Sequence, residues 1–160
     1  MTQFHHPIAF KARGVKAILA GNQTETRRLA KNERCPFGSQ GALLWVQECW
    51  AYEGNLSQRD RVIGTTRERL RYRATDPTPE RFPSGGWQPS RDMMRWMSRI
   101  TLRVRTVFVE RLHYITEEGA KREGCASVEE FAQEWNFRHH ETIWVENPLV
   151  WVIGFEVLKE

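Results

Sequence analysis

Gln23, Thr24, Thr26, Arg27 and Arg28 fall within six residues of one another, in the run ILAGNQTETRR. They offer an amide, two hydroxyls and two guanidiniums on one short segment. Hydroxyls and amides both donate and accept hydrogen bonds, and a guanidinium forks onto phosphate, carboxylate or the edge of a base. Such a polar, cationic cluster becomes a binding site when a scaffold holds it still. The scaffold is legible just upstream. Val15, Ile18 and Leu19 recur at helical spacing, and Gly21 reads as the stop, because glycine after the last turn tolerates a left-handed backbone. A plainer reading is also open, in which the arginines complement the dipole of the helix they follow.

The bulk of the chain narrows what that cluster serves. At 160 residues and 40% hydrophobic content, one domain with a real core is expected, spanning residues 1–160. The formal charge is +4, and 19 of the 24 cationic residues are arginine. Arginine is the better fork for phosphates and the better stacker on bases, so an acidic partner is favoured. Cys35, Cys49 and Cys125 are odd in number and lack CxxC spacing, which argues against a disulfide framework and a zinc site. His5–His6 and His139–His140 are adjacent pairs whose side chains diverge on a regular element, so neither is a metal clamp; a surface loop beside a tryptophan suits His139–His140. No metal and no cofactor are expected. No run approaches about 20 apolar residues, so no membrane partner is expected. MTQFHHPIAF lacks a signal-peptide pattern, and a reducing cytoplasm is the expected compartment.

The elements that must position the cluster read as follows. Ile8–Phe10 is a short apolar run before the first helix, and Asn32–Gly41 is a loop. Gly41–Tyr52 reads as one buried strand. On it Trp45 and Trp50 face opposite ways, one toward the core and one toward a pocket. Glu53–Gly64 is a polar connection. Glu68–Thr75 alternates, with Leu70, Tyr72 and Ala74 opposite Arg69, Arg71 and Arg73. Asp76–Pro89 is a loop and Ser90–Ser98 one or two helical turns. Trp87 and Trp96 flank this segment, where they would close the barrel mouth or join the core. Ile100–Val109 is the strongest strand, with Leu102, Val104 and Phe108 on one face and Arg103 and Arg105 on the other. Thr116 caps a helix that Gly124 stops, Ser127 and Glu130 open the next as a capping box, and Leu149–Leu158 is the final strand. Strands outnumber helices without βαβ alternation, so a small closed or nearly closed β-barrel with peripheral helices is expected. The strand arginines at 69–73 and 103–105 form either a phosphate-tracking groove or a solvated outer face.

The ordered set ILAGNQTETRR, GALLWVQECW, YRATD, WQPSRDMMRWMSRITLRV, VERLHYITEEGAKREG and NPLVWVIGFEVL resembles the ASCH-domain family, and within it a group often encoded by bacteriophages and prophages. The resemblance covers nearly the whole chain. It implies an α+β fold, a small PUA-like β-barrel with peripheral helices. It also implies binding of a base or nucleotide in a cleft beside the first helix, with RNA favoured over DNA and a modified, cytidine-like nucleoside as the other ligand. Some ASCH proteins are similar to amidohydrolases that remove an acyl group from N4 of cytidine, using Lys-Thr-x-Thr after the first helix and a Glu in the helix after the long strand. Thr24 and Thr26 match those threonines, and Glu123 in KREG matches the Glu. Gln23 stands at the lysine position, where an amide neither takes a proton nor carries a charge. Other ASCH members cut RNA, and a Thr/Arg/Glu site could do so by positioning and charge stabilisation. The expected catalytic set is Thr26, Arg28 and Glu123. The expected substrate-binding set is Gln23, Thr24, Arg27, Glu48 and Arg99. The competing reading is a non-catalytic regulatory or accessory module, which Gln23 favours. A protein-binding accessory role has only the aromatic-rich composition behind it.

Overall fold

The computed structural model describes residues 5–64, 67–81, 83 and 85–159. Phe82 and Ser84 of the expected Asp76–Pro89 loop therefore lie outside the described residues. Among the described residues, seven strands and four α-helices run in the order β1 (His5–Ala9), α1 (Ala12–Leu19), β2 (Glu25–Leu29), β3 (Leu43–Gln47), β4 (Trp50–Tyr52), α2 (Gln58–Ile63), β5 (Leu70–Tyr72), β6 (Thr101–Arg111), α3 (Glu117–Arg122), α4 (Val128–Arg138) and β7 (Leu149–Val157).

Five strands form one sheet in the order β1-β3-β6-β7-β2, and β4 and β5 form a separate hairpin-like pair. β1 and β3 pair in parallel, across the crossover that α1 and β2 supply, and the other pairs among the described strands are antiparallel. β7, LVWVIGFEV, is apolar without alternation because both of its faces are buried. Ile153 and Phe155 join Ile8, Leu44 and Leu102 beneath Val15 and Ile18 of α1. Val150 and Val152 face the other way, onto Leu112, Phe131 and Trp135. The sheet thus lies between α1 on one side and α3–α4 on the other. Its ladder is open between β1 and β2, so the architecture is α+β with a sheet that does not close into a barrel.

Three sequence expectations are corrected by the packing. First, the expected strand Gly41–Tyr52 breaks at Glu48–Cys49, and its second part leaves the main sheet to pair with β5. Trp50 is buried in a third cluster with Met93 and Met97, whereas Trp45 stays part-exposed in a shallow cleft beside Trp96, Arg67 and Arg95. Second, Phe108 is 46% exposed rather than core. A bulge at Arg105, between Val104 and Thr106, shifts the alternation of β6, so that Val107 takes the inward position. Gly154 answers the bulge, because a side chain there would collide with the Thr106 hydroxyl. Third, of the two readings of the strand arginines, pairing with carboxylates at Arg71, Arg103 and Arg105 sets aside the free cationic track and leaves the outer face. Arg71 is held by Asp76 and Glu53 at 2.6 and 2.9 Å, and Arg103 and Arg105 share Glu156 at 3.3 and 2.8 Å.

Candidate binding cleft between α1 and α4

The cleft is built outward from the end of α1. Gly21 adopts φ +77°, and the chain doubles back so that Asn22 N–H and Gln23 N–H both donate to the Ala17 carbonyl, at 2.8 and 3.2 Å. This turn delivers Gln23 against Glu123, with which it forms an isolated antiparallel bridge, and Thr24 N–H donates to Arg122 O at 2.8 Å. Gly124 makes the approach possible: it has φ +81°, and a Cβ there would come within 3.2 Å of Ala17 Cβ. Residues from β1–α1, the Gln23 turn, the end of α3 and the end of α4 then enclose a cleft of about 590 Å³.

β2 splits its two arginines between opposite faces. Arg27 points toward α3 and α4 and is 3% exposed. Its guanidinium lies 2.8 Å from Glu25, 3.5 Å from Glu110 and 3.7 Å from Glu123, over the Phe131 ring. Arg28 points toward α1 and lines the cleft. It lies over the Phe10 ring at 4.6 Å and near Phe37 at 5.8 Å, and its Nε donates to Thr26 Oγ1 at 3.1 Å. Among the described residues Arg28 has no ion-pair partner. Burial, and repulsion from Arg138, bring its pKa down to about 10, so it remains a cation at neutral pH.

Glu123 closes the cleft from the α3 side. It is 6% exposed, and its Oε1 is buried without a hydrogen-bond partner. Burial pushes its pKa up to about 7, opposed chiefly by Arg27 and Arg138. The side-chain amide of Gln23 donates to Glu25 O at 3.1 Å, which leaves its carbonyl oxygen as the acceptor that faces Gly14. Cys125 also lines the cleft, but burial raises its thiol to about 11, so it is not a thiolate nucleophile at neutral pH.

The sequence-derived set is therefore divided by the fold. Gln23, Arg28 and Glu123 meet in one cleft. Thr26 is fully buried beneath Arg28 and fixes the guanidinium rather than reaching the cleft wall. Thr24 is exposed outside the wall, and Arg27 lies behind Glu123 on the other face of β2. Glu48 and Arg99 do not line the cleft. They make a two-bonded pair at 2.9 and 2.9 Å, with Arg99 stacked on Tyr72 at 4.2 Å, which ties the β4–β5 pair to the main sheet. Trp87 and Trp96 donate to Pro79 O and Arg61 O and also lie outside this cleft.

The α4 wall was not found from the sequence. Phe137, Arg138 and His139 line it, opposite Lys11 and Arg13. Arg13 is paired with Glu130 and Glu134 at 2.6 and 2.7 Å, whereas Lys11 and Arg138, like Arg28, have no ion-pair partner among the described residues. One local signal pointed there. Phe131 and Trp135 form the buried stripe of α4, and Phe137 falls off that stripe, 67% exposed.

Among the described residues no helix is long and apolar enough to cross a membrane, and no cluster of His, Cys, Asp and Glu is arranged to hold a metal. No protein-family model matches the chain, and no curated protein is similar enough in sequence to count as a relative. Solved structures do match. An ASCH domain from Lactobacillus crispatus JV V101 superposes with a TM-score of 0.53 at 15% identity, covering 96% of this chain and 79% of that one. The hypothetical protein PH0355 superposes at 0.52 and 13% identity, over 97% and 100% of the two chains. Protein EF3133 from Enterococcus faecalis V583 does so at 0.51 and 12%, over 99% and 82%. At these identities the likeness is one of fold, and the fold of this chain is that of the ASCH domain.

Proposed function

We propose that the chain, acting as one domain over residues 1–160, binds a nucleic-acid base or nucleoside in the α1–α4 cleft, with RNA the favoured source of that base. The observation that carries this reading is Arg28: a cation without an ion-pair partner, stacked on Phe10 at the wall of a cleft that it shares with Glu123. A volume of about 590 Å³ suits a small organic ligand. Phe10 and Phe137 supply apolar walls, Gln23 and Glu123 supply acceptors, and Lys11 and Arg138 supply cations for a phosphate at the mouth. Titration with single-stranded RNA, single-stranded DNA and free nucleosides tests it. Binding to the RNA should be tightest at low salt and weaken several-fold toward physiological salt. Absence of binding to all three ligands at low salt defeats the reading.

A second reading, hydrolysis, is favoured by Glu123. A carboxyl with a pKa of about 7 is matched to general acid–base work near neutral pH. The Cys125 thiol in the wall stays protonated and the Ser90 hydroxyl there has no base paired with it, so water is the nucleophile of this reading. Glu123 would take a proton from that water as its oxygen attacks the acyl carbonyl, Arg28 would hold the developing oxyanion, and collapse of the adduct would break the C–N4 bond as Glu123 returns the proton to the leaving amine, releasing cytidine and the carboxylic acid. Incubation with an N4-acylcytidine panel and with labelled single-stranded RNA separates turnover from a purely regulatory binding module.

A further inference from the structure

His139 stands at the end of α4, where the helix meets the cleft, and its ring is fixed on three sides. Its backbone N–H donates to Trp135 O at 2.9 Å. Its Nδ1 lies 3.1 Å from the same carbonyl. A carbonyl oxygen only accepts, so Nδ1 carries a hydrogen and donates to it. The ring stacks on the Trp135 indole at 3.8 Å between centroids and 17° between planes. Trp135 is itself fully buried and anchored through Nε1 to Thr142 O at 2.9 Å.

These restraints determine what His139 offers. With Nδ1 protonated, a neutral imidazole has one lone pair left, on Nε2, at the far edge of the ring from the helix terminus. Burial, together with the neighbouring cations Arg138, Arg28 and Lys11, disfavours a second proton, against the pull of the Trp135 carbonyl. The acidic groups that share the cleft are Glu123 from α3 and Glu134 from α4, and Glu134 is held by Arg13. His139 lines the same cleft as Arg28, Gln23 and Glu123. The wall therefore combines cationic donors with neutral acceptors in fixed orientation.

We propose that His139 is a specificity-determining residue of the cleft, whose Nε2 accepts a hydrogen bond from the exocyclic amino group of a bound base. This rests on the base-binding reading above and extends it to a ligand class, the amino-bearing bases adenine and cytosine over their N-dialkylated or oxo counterparts.

The test measures affinity for adenosine, cytidine, N6,N6-dimethyladenosine and N4,N4-dimethylcytidine in wild type, His139→Gln and His139→Phe. Phe keeps a ring on Trp135 but has no acceptor, whereas Gln restores an acceptor near the position of Nε2. Wild type should prefer an amino nucleoside over its dimethyl form by about tenfold, the scale of one good hydrogen bond in a partly buried site. His139→Phe should bring the ratio of amino to dimethyl affinity to about one, and His139→Gln should keep most of the wild-type ratio. Discrimination that survives in His139→Phe overturns this inference alone. Wild-type protein that binds none of the four nucleosides overturns this inference, and the base-binding reading falls with it where single-stranded RNA and DNA also fail to bind. Near-ultraviolet circular dichroism of Trp135 checks that both variants keep the helix terminus folded.

Discussion

Arg27 and Arg28 are neighbours on one five-residue strand, yet they live in opposite electrostatic worlds. Arg27 faces α3–α4 with Glu25, Glu110 and Glu123 around it. Arg28 faces α1 with two phenylalanine rings and a threonine hydroxyl, and no ion-pair partner among the described residues. A buried ion pair adds little net stability, because the Coulombic gain is offset by desolvation, but removing one partner strands the other. An unpartnered cation in a cleft keeps its field available for a ligand. The difference teaches that β2 assigns its two guanidiniums distinct work: one neutralises the inner carboxylates, and the other is held ready for something the protein does not itself contain.

Replacing each arginine by methionine is the strongest way to break that contrast. Arg27→Met leaves Glu123 buried without its nearest cation and Glu25 with Arg122 alone, at 3.5 Å, and should cost about 3–5 kcal/mol in denaturant unfolding. Arg28→Met replaces a stacked cation by an apolar chain and should cost no more than about 1 kcal/mol, while nucleoside or RNA affinity falls at least tenfold. Equal losses of stability in the two variants would show that the faces are not differently charged.

Glu123 is touched by both faces, and its titration sharpens the comparison. The unfolded chain ionises this carboxyl near 4.5, whereas the folded chain holds its proton until about pH 7. Between those values the native state binds more protons than the unfolded state, so stability falls as pH rises from about 4.5 to about 7. The full penalty, present above pH 7, is at most about 3 kcal/mol. Glu123→Gln should remove it, raising stability at pH 8 relative to wild type and changing little at pH 4. Thermal unfolding across that range measures the effect, and an unchanged pH profile in the variant would remove Glu123 as its source.

How much of this was legible beforehand follows from how local each signal is. The glycine stops Gly21 and Gly124 and the caps Thr116 and Ser127 are local rules, and they hold: both glycines have positive φ, and both hydroxyls accept from the N–H three residues on. The final strand was visible as a largely apolar run, but the burial of both its faces shows only in the packing. The bulge at Arg105 was not, because it is defined by the register of the partner strand and leaves no residue signature on β6. The pairing of Arg71, Arg103 and Arg105 was hidden too, since each alternation looked solvated until the fold brought Asp76 and Glu156 to it. In the cleft, Gln23, Arg28 and Glu123 were readable from a short motif and a resemblance. Phe137, Arg138 and His139 were not, because only the docking of α4 beside α1 makes them a wall.

The bulge offers a smaller test of the same two-faced logic on the neighbouring ladder. Phe108 and Val152 are register partners, but Val152 is fully buried against Phe131 and Trp135 while Phe108 is half-open to solvent. Val152→Ala should cost about 1–3 kcal/mol, and Phe108→Ala less than about 1 kcal/mol, by equilibrium unfolding. A larger loss at Phe108 would restore the unbulged alternation.

Gln23→Lys gives the smallest and most specific change. Gln23 sits beside Glu123 on the Arg28 side of the cleft, with its amide donating to Glu25 O. An ammonium at this position adds a further cation to Arg27, Arg138 and Arg28 near the Glu123 carboxyl without altering the Arg27 face. An opposite charge within a few ångströms favours the ionised carboxylate, so the midpoint of the Glu123 titration should move from about 7 toward the ordinary range by about a unit. The pH-dependent part of the stability should shrink accordingly, by about 1 kcal/mol. If water is activated in this cleft, trace hydrolysis of N4-acylcytidine should rise, while nucleoside affinity stays within a few-fold of wild type because Arg28, Phe10 and His139 are untouched. Titration of the stability profile and an acylcytidine turnover assay, run on the same variant, read these two effects separately. Robust deacylation by the wild type, with no gain from the lysine, would mean that the Gln23 amide already serves where a cation was expected, and that Arg28 alone supplies the charge the cleft needs.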